Sequence, residues 1–142
     1  MSKLDEKSER GLGVIGDMMG PEYAEKLRAS ATSGKFGADI TRMALDYSFA
    51  DSWGREGLPR REKSLVIIAA LIALKQPAEL RNHVKIGVAN GLTVGDFESL
   101  LVQLSSYVGF PCIASAQTAV IEALREVGCD PNVKTSEERG LL

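Results

Sequence analysis

His83 is the only histidine in the chain, and Glu79 stands four positions before it. On a helix the two side chains share a face. A carboxylate beside an imidazole fixes its tautomer and raises its pKa, which suits proton transfer near neutral pH. The same spacing also describes a plain surface pair worth roughly 0.2–0.5 kcal/mol. A zinc site finds no support, because H-E-x-x-H is absent, there is no second histidine, and neither cysteine is near in sequence. Arg55, Arg60, Arg61 and Lys63 cluster just before a strongly apolar stretch. Fixed cations beside apolar walls are what a small anion needs, and arginine grips a carboxylate through two nitrogens. The plainer reading is a solvated helix start, although cations there oppose the helix dipole. Trp53 and Tyr107 flank glycine-bearing breaks and offer either pocket walls with a polar handle or core and interface packing. Cys112 follows Pro111 at an expected helix start, which favours a thiolate. With no histidine or second cysteine nearby in sequence, it reads as a small packed residue. P-loop, G-x-G-x-x-G, G-x-S-x-G and kinase signatures are missing, which sets aside ATP, dinucleotide and serine-hydrolase chemistry.

The elements that must position these residues read as helices, with no sustained period-two alternation. A weak helix over Ser8 to Met19 stops at Gly20-Pro21, and a short one follows from Glu22 to Ser30. Ile40, Met43, Ala44 and Tyr47 recur at helical spacing, and that helix is expected to end near Asp51. Pro59 suits the first turn of the next helix. Its segment Leu65 to Leu74 is apolar on every side, so it must be surrounded by its own domain or by neighbouring subunits. Gln76-Pro77 restarts the chain into Ala78 to Asn90, with Gly91 as a left-handed cap. Thr93 and Asp96 form an N-cap arrangement before Phe97, Leu100, Leu101 and Leu104. Tyr107 to Pro111 is a break, and a last helix runs from Ile113 to Val127, closed by Gly128. Asp130 to Leu142 is a polar, loose tail. The expected architecture is a single all-α domain, a bundle of six to seven helices.

At 142 residues the chain is long enough for one real core. Its 44% hydrophobic and 25% charged content is ordinary for a globular protein. A net charge of −2 gives no basic footprint for nucleic acid. The start lacks the apolar run of a secretory signal, and Leu65 to Leu74 spans only about 15 Å as a helix, half a bilayer. A soluble cytoplasmic protein is expected, with Cys112 and Cys129 as thiols and no disulfide framework.

From Asp46 onward the chain resembles the carboxymuconolactone decarboxylase family. The residues that carry the likeness are Trp53-Gly54-Arg55-Glu56-Gly57-Leu58 and Arg60-Arg61-Glu62-Lys63-Ser64-Leu65. They continue with Glu79-Leu80, His83, Asn90-Gly91-Leu92-Thr93, Gln103 and Tyr107-Val108-Gly109-Phe110-Pro111, up to about Val127. The resemblance implies an all-helical subunit around a helical hairpin, in a ring-like homo-oligomer, a trimer or hexamer. It also implies decarboxylation of γ-carboxymuconolactone to an enol-lactone without metal or organic cofactor. A related branch carries C-x-x-C-x-x-x-H for dithiol peroxidase chemistry. Aligned on His83, its two cysteines fall on Gln76 and Glu79 and its upstream glutamate near Ser64, so that chemistry has no thiols here. The chain also departs from the decarboxylases, with Phe49 for Trp, Glu56 for Pro, Lys63 for Arg, and Cys112 after the proline.

Losing carbon dioxide from such a lactone leaves an electron pair that delocalises into the lactone carbonyl as a dienolate. The resemblance therefore implies that His83 delivers the proton, with Glu79 setting its tautomer and charge. Arg55, with Arg61 or Lys63, would bind carboxylate, and Trp53 and Tyr107 would shape the pocket. On this reading imidazole and guanidinium meet in one largely dry hollow. Two alternatives stand beside it. One is a non-catalytic, or differently specific, ligand-binding helical oligomer, in which His83 faces water or is locked in packing. The other is a thiol redox enzyme working through Cys112 alone.

Overall fold

The computed structural model describes residues 3–129 and 132–141. Seven helices and no strand occur among the described residues, as the helical spacings predict. The chain divides into two compact units, Met1–Pro59 and Arg60–Leu142.

In the first unit, α1 (Glu6–Met19) starts at Asp5, whose carboxylate accepts from the Ser8 N–H at 2.8 Å. That bond, ahead of burial acting the other way, holds the Asp5 carboxyl below its usual range. Gly20 separates α1 from α2 (Pro21–Thr32), and Arg28 of α2 grips Glu9 of α1 with both terminal guanidinium nitrogens. α3 (Ala38–Met43) continues without a break into a π-helical segment, Ala44–Trp53. Sequence spacing predicts an ordinary helix ending near Asp51. The chain instead widens to i→i+5 bonding and runs two residues further, with the Gly54 N–H reaching the Phe49 carbonyl. α1 is the main neighbour of this segment. Gly11 brings the two backbones so close that a Cβ there would overlap the Leu45 carbonyl. Ser8 Oγ donates to Asp46, and Lys7 pairs with Asp51 at 2.6 Å. Ile15 and Leu45 are fully buried in this unit.

In the second unit, α4 (Arg60–Ala73), α5 (Pro77–Ala89), α6 (Val94–Val108) and α7 (Phe110–Glu126) share one core of Ile68, Ile72, Leu80, Val84, Phe97, Ala116, Val120 and Leu124. Each large aliphatic side chain buried there contributes about 1.5–3 kcal/mol. α4 is not surrounded within one chain. It buries Ser64, Ile68 and Ile72 at four-residue spacing and leaves Val66, like Leu74 just past its end, more than half exposed. The expected five-residue break at Tyr107 to Pro111 contracts to Gly109 alone, because Pro111 fits the first turn of α7, where its missing N–H is no loss.

Thr93 and Asp96 form the expected cap as a reciprocal capping box on α6, with bonds of 2.9 and 3.2 Å. Thr93→Ala is expected to destabilise the protein by about 1 kcal/mol, measured by urea denaturation. α4, α5 and α7 all end in the same left-handed motif, in which two backbone N–H groups return to the last turn. The left-handed residue is Gly91 after α5 and Gly128 after α7, but Lys75 after α4, with φ 57°. Lys75 is the one non-glycine residue of positive φ among the described residues. In the polar tail, Arg125 of α7 donates to the Val133 carbonyl at 2.7 Å and pairs with Glu138, pushing that carboxyl down to about 2.

Candidate functional site

α5 carries the Glu79–His83 pair. Its inward face is Leu80, Val84 and Gly87, and Gly87 has a packing reason. A Cβ there would lie 2.9 Å from Leu92 and 3.1 Å from Ile68. With α5 held this close to α4 and α6, the flanking His83 is half-buried, its Nδ1 shielded from solvent, while Glu79 is exposed. The carboxylate does raise the imidazole pKa, but burial outweighs it, and His83 titrates below its ordinary 6.5. The expected upward shift is thus reversed, because the anion faces high-dielectric water whereas the imidazole does not. His83 is neutral at pH 7. The folded state resists its protonation, so this group's contribution to stability is intact above about 6.5 and declines as pH falls below that value.

The first turn of α4 bears Arg60, Arg61 and Lys63, all half-buried. Arg61 donates to Asp96 at 2.9 Å, so that one carboxylate both caps α6 and ties it to α4. The Thr93 N–H foremost, and then Arg61, hold the Asp96 carboxyl below its usual range. Tyr107 lies at the end of α6 with 81% of its surface exposed. Trp53 and Arg55 belong to the first unit, Trp53 buried at the end of the π segment and Arg55 exposed in the turn after it. Cys112 is buried in the first turn of α7, its thiol donating to the Ile72 carbonyl at 3.0 Å. Both cysteines are free. Among the described residues no three His, Cys, Asp or Glu gather to hold a metal, and no helix is long and apolar enough to cross a membrane.

One polar link escaped sequence reasoning. Ser64, fully buried on α4, accepts from the Asn90 side-chain amide at 3.0 Å and so ties the start of α4 to the end of α5. Asn90-Gly91 reads from sequence only as a helix end. The position of Ser64 in an apolar helix was the available signal, since a buried hydroxyl needs a partner.

The family model for carboxymuconolactone decarboxylase matches residues 38–130, a wider stretch than the motifs from Asp46 to Val127. The chain is 29% identical to a 4-carboxymuconolactone decarboxylase of Acinetobacter baylyi over 127 residues, covering 89% of this chain and 93% of that protein. It is 24% identical to the nitrosuccinic acid decarboxylase of Metarhizium robertsii over 119 residues, covering 84% and 82%. The chain therefore belongs to the carboxymuconolactone decarboxylase family and is an enzyme of the carboxy-lyase class.

Proposed function

We propose that the protein is a cofactor-independent decarboxylase of a small carboxylated lactone of the γ-carboxymuconolactone kind, with His83 returning the proton to carbon. The observation that carries this is the half-buried, neutral imidazole on α5, in a chain whose relatives are named for decarboxylating small dicarboxylic acids. The bond from carbon to one carboxylate breaks, carbon dioxide leaves, and the electron pair enters the lactone carbonyl as a dienolate. A proton from the His83 imidazolium then goes to carbon, and solvent restores it. Burial keeps the resting imidazole neutral, and a bound dianion opposes that effect by Coulomb attraction, so proton and substrate arrive together. A cation of the first turn of α4, Arg61 or Lys63, is assigned to a substrate carboxylate, and Arg61 also holds α4 to α6. The exposed Glu79 carboxylate supports the protonated state.

The pH profiles carry the signature of this coupling. kcat/KM is expected to fall as pH rises through the low pKa of free His83, and kcat to fall only at higher pH, in the complex. Coincident limbs would show that substrate does not charge the imidazole. The function itself is tested by carbon dioxide release from γ-carboxymuconolactone. Release that depends on His83 is expected, and folded protein that releases none overturns the assignment.

We also propose a homo-oligomer, trimer or hexamer. Ile40, Met43 and Tyr47 recur at helical spacing and are each at least 65% exposed, and Val66 of α4 and Leu74 just past its end are exposed too. Light scattering is expected to give a multiple of the subunit mass, and a monomer at assay concentration contradicts it.

A further inference from the structure

Apart from His83, the second unit contains a hollow of about 280 Å³ where the end of α4 turns into α5 against the start of α7. Its wall is apolar, chiefly Leu71, Ile72, Leu80 and Ala116, with the Cys112 thiol in the wall. Gln76 and Ser115 supply neutral polar groups, and Lys75 is the lone charge, with no Asp or Glu among the lining residues. The first turns of α5 and α7 both enter the lining, at Gln76-Pro77 and Pro111-Cys112, and add the positive ends of two helix dipoles. The last turn of α4, at Leu71 and Ile72, brings the negative end of one dipole to the same hollow, so the one full charge among the lining residues is the Lys75 ammonium.

Lys75 gives a second, independent observation. The same terminal motif closes α4, α5 and α7, and the latter two place glycine at the left-handed residue. Glycine avoids a steric conflict there that lysine must bear. The exception stands on the rim of the hollow, and backbone conflict of this kind gathers where a side chain has work to do. We infer that this hollow binds a small monoanion with an apolar body, such as an aromatic or short branched carboxylate, its carboxylate at Lys75 and its body against Leu71, Leu80 and Ala116. The volume suits a compact ring rather than a long chain. This site does not rest on the decarboxylase assignment, since His83 is not part of its lining.

Cys112 reports on occupancy, and exposed Cys129 serves as the internal reference. The full chain is treated with iodoacetamide and the alkylation of each cysteine is followed by peptide mass, using benzoate as the anion and benzamide as its uncharged counterpart. At a benzoate concentration about ten times its Kd, alkylation of Cys112 is expected to slow about tenfold, with Cys129 unaffected. Benzamide is expected to leave both rates unchanged. Lys75→Gly, which also relieves the backbone, is expected to raise Tm and abolish protection, whereas His83→Ala retains it. Absence of protection by benzoate, equal protection by benzamide, or undiminished protection in Lys75→Gly each overturns the inference.

Discussion

Replacing His83 with alanine is expected to lower kcat at least about a hundredfold, the smallest effect consistent with losing a positioned general acid. KM should rise as well, because a dianion that charges the imidazole is held in turn by the imidazolium, and that part of the binding is lost with His83. His83→Gln separates the roles, since glutamine keeps a hydrogen-bonding side chain of similar reach but cannot deliver a proton. It is expected to be as slow as alanine. The fold should survive both changes, since His83 flanks the core formed by Leu80, Val84 and Gly87 rather than sitting within it. Steady-state kinetics on γ-carboxymuconolactone, with circular dichroism as the folding control, decides the matter. Near wild-type turnover in either variant removes His83 from the chemistry.

Gly11→Ala is expected to destabilise the protein by about 2–3 kcal/mol, with a fall in Tm of roughly 10 °C. The new methyl would overlap the Leu45 carbonyl oxygen and carbon. Those are backbone atoms of the π segment, unlike a flexible side-chain tip, and cannot swing aside. Gly13 on the same helix is the control, because a Cβ there meets nothing within 4 Å. Gly13→Ala should stabilise by about 0.5–1 kcal/mol through helix propensity alone. Opposite signs from two identical substitutions two residues apart would establish close α1–π packing, whereas two gains would contradict it.

Much of the fold is legible in the sequence because local chemistry enforces it. Thr93 and Asp96 announce a capping box, and Gly91 and Gly128 announce left-handed helix ends, since each satisfies backbone groups that have few other partners. The π-helical form of Ala44–Trp53 is not legible. Its side-chain spacing fits an ordinary helix, and the close approach of Gly11, far away in the chain, leaves no local mark either. Lys75 misleads in the same way, because a lysine gives no sign of a left-handed backbone.

The candidate site shows the same division. Spacing alone places Glu79 and His83 on one helix, but the sign of the His83 shift depends on burial in a helix packed against α4 and α7. Arg61 and Lys63 look interchangeable as cations in sequence. The structure adds that Asp96, across the bundle, engages Arg61 in holding α6 to α4. The family motifs carry the class of reaction, while the protonation state of His83 is a property of the packed bundle.

Because His83 is the only histidine, its two ring nitrogens give one unambiguous pair of signals in ¹⁵N spectra of uniformly labelled protein. Such spectra at pH 7 should show a neutral imidazole in the free enzyme and an imidazolium once a small dicarboxylate saturates the site. An imidazole that stays neutral, with shifts untouched by the dicarboxylate, would contradict the coupling of substrate binding to proton uptake at His83.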